Sequence, residues 1–213
     1  LSIVDAEFWL QRWQENDIFF HGREANPLLI AHFDALSLAG GSRLFLPLCG
    51  KTLDIHWLLA RGYRVAGAEL SAIAIDQLFA ELGVAPKITA LGALLRYSAE
   101  GIDMFVGDIF DLSREFLGPV DAVYDRAALV ALPEPMRDRY AAHLTAITDR
   151  APQLLITFDY DQSLQHGPPF SVGAAEVDRL YRASYALTML ARVVVAGGLR
   201  GKCPADETVW LLT

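Results

Sequence analysis

Apolar positions early in the chain recur at helical spacing. Phe8, Trp9 and Trp13 fall on one side of AEFWLQRWQ, with Asp5 placed to cap the helix start. The pattern breaks near Asn16–Asp17 into the aromatic stretch Phe19–Phe20–His21. Pro27 opens a second predicted helix, because proline suits a first helical turn, and Ala39–Gly40–Gly41 ends it. From Arg43 onward short apolar runs alternate with amphipathic ones. Strands are predicted at 43–48 and 63–70, and helices at 52–62 and 71–83, the latter capped by Ser71 and followed by Gly83. Segment 84–107 reads as a strand, a turn at Ala99–Glu100–Gly101, and a strand that ends at Asp108. Residues 121–129 supply a strand and its exit loop. Pro135 starts a helix toward Asp149, 153–161 is a strand, and a short helix lies around 174–184. Strands at 186–195 and 207–213 finish the chain.

Alternation of strand and helix predicts an α/β fold, with a mostly parallel sheet covered by helices on both faces. Only a loop, 196–206, joins the last two strands, so they form an antiparallel C-terminal hairpin. The expected sheet has seven strands and is Rossmann-like. No linker or repeat divides the chain, which predicts one domain over residues 1–213. The aromatic residues of 1–24 suit either core or a lid over the strand ends, and the segment is taken as a lid.

Composition narrows the function classes. Apolar residues make up 53% and charged residues 21%, which excludes a disordered chain. The net charge of −8 and the lack of any basic run exclude a nucleic-acid partner. Two cysteines, Cys49 and Cys203, support neither a disulfide framework nor a cysteine-rich zinc site. Histidines 21, 32, 56, 143 and 166 include no pair at helical ligand spacing, so no metal is expected. Arg192 interrupts the most apolar segment, and the N-terminus is polar where a signal peptide would be apolar. A cytoplasmic monomer acting on a small molecule, with no membrane partner, is expected.

Ligands of open α/β sheets bind beyond the carboxyl ends of the strands. The first such turn, Pro47–Leu48–Cys49–Gly50–Lys51, has one glycine, so neither G-x-G-x-x-G nor a phosphate-binding P-loop is present. That disfavours a nicotinamide dinucleotide. A nucleoside carrying a sulfonium amino acid has no phosphate and tolerates such a turn. Glu69 ends the second strand 21 residues beyond Leu48, the offset of a carboxylate that accepts ribose hydroxyls; a solvated charge is the alternative. Asp108 is either a helix cap or an adenine contact. Arg126, at the end of the fourth apolar strand run, either pairs with Asp125 or Glu134 or holds an electron-rich ligand. G-x-S-x-G is absent, and Cys49 reads as a small buried hydrophobe rather than a nucleophile.

The runs FWLQRWQENDIFFH, LFLPLCGKTLDIHWL, VAGAELS, FDLS, VYDRAALVALP and FDYDQSLQHGPPFSV occur in that order. Together they resemble thiopurine S-methyltransferases, bacterial members especially. The resemblance implies a class I methyltransferase fold, the cofactor S-adenosyl-L-methionine and S-methylation of thiopurines or aromatic thiols. It extends to selenium and tellurium species as further acceptors. It also implies that Trp13, Leu48, Glu69 and Arg126 contact the cofactor and that Asp108–Ile109 meets adenine. Phe20 corresponds to the aromatic residue beside the substrate. Phe170 is added here as a pocket wall, with Arg126 orienting the substrate and no residue acting as a catalytic nucleophile or base. Phe19 departs from the small residue usual before the Phe–His pair, and the C-terminal loop GGLRGKCPADE matches only weakly. The alternatives are a halide or thiocyanate methyltransferase on the same scaffold and a non-catalytic nucleoside-binding module.

Overall fold

Repeated apolar runs from Arg43 to the C-terminus form one mixed sheet. The structure is a computed structural model that describes residues 6–18, 22 and 24–213. Helix α1 (Ala6–Gln14) precedes α2 (Pro27–His32), which a 3-10 turn at Phe33–Leu36 extends. The elements β1 (Arg43–Leu46), α3 (Leu53–Ala60), β2 (Arg64–Glu69) and α4 (Ala72–Leu82) follow. Strands β3 (Lys87–Leu91), β4 (Leu94–Ala99) and β5 (Ile102–Val106) then lead to α5 (Arg114–Leu117) and β6 (Ala122–Arg126). Helix α6 (Glu134–Ile147), β7 (Gln153–Tyr160), α7 (Ala174–Tyr181), β8 (Leu187–Val194) and β9 (Ala205–Leu212) complete the chain.

The expected caps are in place: Ser71 Oγ accepts from the Ala74 N–H, and Gly83 follows α4 in the left-handed region. The Asp5 cap, Phe19, Phe20 and His21 lie outside the described residues.

Sheet order is β3-β4-β5-β2-β1-β6-β7-β9-β8. The strands from β5 through β7 run parallel, and β9 inserts antiparallel between β7 and β8, which gives the expected closing hairpin. Nine strands are present among the described residues where seven were expected. The strand ranges read from the sequence already include β4, before the Ala99–Glu100–Gly101 turn, one more than a seven-stranded sheet holds. Strand β3 alone was not anticipated, and it pairs antiparallel with β4, which is antiparallel to β5 at the sheet edge. None of the β3 residues is buried, and its alternation, Ile88 and Ala90 between Lys87 and Thr89, is too brief to mark a covered strand.

Strand side chains alternate between two cores. Phe45, Ala66, Phe105 and Val123 pack with Leu117 of α5, Tyr140 and Leu144 of α6, and Val177 and Tyr181 of α7. Leu44, Leu46, Val65 and Met104 pack with Leu29 of α2, Ile55 and Leu58 of α3, and Ile75 and Leu78 of α4. This is the period of two expected of strands covered on both faces. From β1 the chain steps outward to β2 and β5, then crosses back to β6 on the other side. That reversal opens a crevice at the carboxyl ends of β1 and β6.

Candidate active site

Every loop that leaves a parallel strand at this crevice contributes to one cavity of about 420 Å³. That size is ordinary for a small-molecule site, typically about 300–1,000 Å³. All six residues expected at the cofactor, Trp13, Leu48, Glu69, Asp108, Ile109 and Arg126, line it.

The turn after β1 sets the geometry. Leu48 has φ +45° and Gly50 φ +53°, so the backbone doubles back sharply at the strand end. The Gly50 N–H donates to Glu69 Oε2 at 2.7 Å, and the Ser71 N–H donates to Glu69 Oε1 at 2.9 Å. Glu69 therefore clamps the turns after β1 and β2 together. Burial raises its pKa, and the Ser71 and Gly50 N–H groups oppose that rise. A solvated charge is excluded, because Glu69 is only 6% exposed.

Helix α1 closes the turn from above. A Cβ on Gly50 would lie 2.9 Å from Trp13 Cζ2, so the indole rests directly on that glycine. Trp13 is buried, and Ala6 and Trp9 of the same helix also line the cavity. Behind α1, the buried Asp54 carboxylate accepts from the Asn26 N–H at 2.6 Å and from the Tyr124 hydroxyl at 3.1 Å. This bond pins the chain entering α2 to the sheet.

The loop after β5 brings Asp108 and Ile109 to the rim because Glu69 and Val106 are register partners. Asp108 Oδ1 accepts from the Phe110 N–H at 2.9 Å, so the cap reading holds, and the residue lines the cavity as well.

Arg126 ends β6 on the cavity wall. Among the described residues it makes no ion pair, so neither Asp125 nor Glu134 takes its charge. Asp125 is fully buried and points the other way, accepting from the Leu129 N–H at 3.1 Å and the Tyr140 hydroxyl at 2.7 Å. Those bonds fix the next turn, in which Ala127 adopts φ +61° and Val130 and Ala131 face the cavity. Burial lifts Asp125 to a pKa of about 6, with the Tyr140 hydrogen bond as the main opposing influence.

Phe170 does not line the cavity. Its ring packs where a Gly167 Cβ would stand, 2.6 Å from Phe170 Cδ1, and the Arg137 guanidinium lies 5.5 Å from its centroid. The preceding Pro168 and Pro169 line the wall instead. Sequence reasoning missed these prolines, along with Met136, Arg139, Phe158, Leu199 and Arg200. Arg200 reaches the wall from the loop between β8 and β9 and donates to the Pro168 carbonyl. The aromatic and proline content of FDYDQSLQHGPPFSV was a signal for Phe158, Pro168 and Pro169; Met136, Arg139, Leu199 and Arg200 lie outside that run and carried none.

Cys49 is the one cysteine among the described residues that line the cavity. Burial and the neighbouring Glu69 push the Cys49 thiol well above its ordinary pKa, and its sulfur packs over Gly67 beside Met104. No described histidine lines the cavity, and no group of metal-ligating side chains occurs among the described residues.

These features select among cofactors. In a dinucleotide site the backbone N–H groups of the first turn face a pyrophosphate. Here the Gly50 N–H is spent on Glu69 and the Trp13 ring covers the glycine. A buried carboxylate beside an apolar rim suits a nucleoside without phosphates. Solved structures with this architecture agree on the fold. The Burkholderia thailandensis 1,6-didemethyltoxoflavin-N1-methyltransferase, solved with S-adenosylhomocysteine, superposes with TM-score 0.67 at 15% identity, covering 100% of this chain and 92% of its own. A TehB-like methyltransferase from Corynebacterium glutamicum gives TM-score 0.57 at 14% identity, covering 98% of each chain. At these identities the likeness shows the fold, the one that these methyltransferases share.

Sequence comparison narrows the class. The family model for thiopurine S-methyltransferase matches residues 4–203. The thiopurine S-methyltransferase of Xanthobacter autotrophicus is 58% identical over 210 residues, 98% of this chain and 99% of that protein. Its counterpart in Teredinibacter turnerae is 50% identical, covering 99% and 98%. The chain belongs to the thiopurine S-methyltransferase family.

Proposed function

We propose that this protein transfers the methyl group of S-adenosyl-L-methionine to the sulfur of thiopurines or other aromatic and heterocyclic thiols. The observation that carries this reading is a largely apolar cavity that joins a buried carboxylate to cationic side chains, with no histidine among the described residues that line it. Glu69 accepts from the ribose hydroxyls, Asp108 and Ile109 border the adenine, and Trp13, Leu48 and Arg126 surround the amino-acid half. When bound, the cofactor supplies an electrophilic methyl on a positively charged sulfur.

The protein's own part is to bind, align and dry the reactants. Trp9, Val130, Met136, Phe158 and Pro169 form the apolar wall for the acceptor. Arg126 orients an electron-rich acceptor. An acceptor held on this wall as its thiolate, its proton left to solvent, would take that methyl as the sulfonium sulfur became a thioether. Charge is neutralised in that step, so excluding water favours it, and alignment supplies the rest of the rate.

The same chemistry suits soft inorganic anions, so halide, thiocyanate, selenium and tellurium species are the second reading. The protein works as a cytoplasmic monomer with residues 1–24 as its lid; among the described residues no helix is long and apolar enough to cross a membrane. A turnover panel of 6-mercaptopurine, thiophenol, iodide, thiocyanate and selenite tests the reading. Preference for the two organic thiols by kcat/KM supports it. Preference for iodide or thiocyanate overturns it, and binding without turnover on any acceptor leaves a nucleoside-binding module.

A further inference from the structure

Three residues of α6 face the loop after β5. Met136, Arg139 and His143 are spaced three and four apart, which places them on one side of the helix. His143 Nε2 lies 2.8 Å from the Ile109 carbonyl, and since a carbonyl only accepts, that nitrogen carries the proton. The His143 ring also meets Phe110 edge-on, with centroids 5.4 Å apart. The Arg139 guanidinium lies 3.7 Å from the Phe110 centroid, a close stack of cation on ring.

Other arginines nearby behave differently. Arg137 pairs with Glu176 at 2.7 Å, and Arg179 pairs with Asp138. Arg139 makes no ion pair among the described residues, although it is exposed and a helix surface usually offers one. Its contact is the Phe110 ring, and both side chains line the cavity beside Asp108 and Ile109.

We propose that Arg139 is a positioning residue of the cofactor site: stacked on Phe110, it covers the adenine end of the cavity and slows escape of the nucleoside. This rests on the reading above that Asp108 and Ile109 border adenine. His143 holds the Ile109 backbone and Phe110 edge in place, while Arg139 supplies a planar cover that an ammonium group would not reproduce. Arginine at this position therefore acts on retention of the cofactor rather than on attack by the thiol.

The test measures S-adenosylhomocysteine and adenosine binding, by calorimetry and stopped-flow, to wild type, Arg139→Ala, Arg139→Lys and Glu69→Ala. Arg139→Ala is expected to raise the dissociation constant of both ligands about 3- to 10-fold, the range of a partly exposed cation–ring contact, through a faster off-rate. Arg139→Lys should recover only part of the loss, and the KM for thiol should not follow. An unchanged dissociation constant and off-rate in Arg139→Ala, with Glu69→Ala still weakened, overturns the role of Arg139 and leaves the cofactor reading intact. A rise confined to the thiol KM overturns it as well. Failure of wild type to bind S-adenosylhomocysteine overturns the cofactor reading itself. Phe110→Leu gives an independent check, since removing the ring while keeping an apolar side chain should make the Arg139→Ala change nearly silent.

Discussion

Replacing Glu69 tests two roles of one carboxylate. In the free protein it accepts the Gly50 and Ser71 N–H groups at 2.7 and 2.9 Å. Each oxygen retains a further acceptor direction for a ribose hydroxyl. Glu69→Ala removes the charge and every one of these bonds. A hydrogen bond to a charged group contributes about 1.5–3 kcal/mol, so loss of the ribose contact should weaken S-adenosylhomocysteine binding about 10- to 150-fold. The same change strands two backbone donors at about 1–3 kcal/mol each, which the urea midpoint would report separately. Glu69→Gln separates the effects, because its oxygen still satisfies one donor while its amide opposes the other. Calorimetry at a temperature where both variants are folded reads the binding loss free of the stability loss. If folded Glu69→Ala binds S-adenosylhomocysteine as tightly as wild type, Glu69 is a structural clamp and does not hold the ribose.

Other consequences of the site are open to measurement. Asp125 is raised from 3.8 to about 6 in the folded protein, so the native state holds the extra proton between those values. Stability from this group is therefore full below the lower value and falls as pH rises through the upper one, by about 3 kcal/mol in all. Asp125→Asn should flatten the urea midpoint between about pH 4 and 6, and a slope equal to wild type would contradict the assignment. Cys49→Ala should keep most of its turnover, with a pH profile that follows each substrate thiol; loss of turnover with intact cofactor binding would show that the thiol takes part. Hydrogen exchange should slow from Trp13 to Phe20 when S-adenosylhomocysteine binds, and equal exchange in both states would make the segment ordinary core.

Legibility in the sequence followed local determinants. Val65 to Ala68 showed as a buried strand because both faces of the central sheet are covered, and Ser71 and Gly83 marked α4 because capping is local. The place of Glu69 at the end of β2 was legible from its spacing to the first turn, which the βαβ unit constrains. Strand β4 was read from its apolar run before Ala99, but β3 was missed because it lies exposed at the edge and the tight turn around Gly92 was not recognised. Phe170 misled for a related reason: its composition suited a pocket wall, but the backbone at Gly167 directs the ring against Arg137. Arg139 and Arg200 reach the cavity from α6 and from the last hairpin. Their approach depends on tertiary packing, which no local pattern encodes.

The most direct test of the central claim is a crystal structure of the protein with S-adenosylhomocysteine and 6-mercaptopurine bound together. The account predicts ribose hydroxyls within hydrogen-bond distance of the Glu69 carboxylate and adenine against Ile109 and Phe110. It also predicts the purine sulfur facing the homocysteine sulfur, in line for methyl transfer, within the wall of Trp9, Met136 and Pro169. A nucleoside bound elsewhere, or a thiopurine seated with its sulfur turned away from the cofactor, would contradict it.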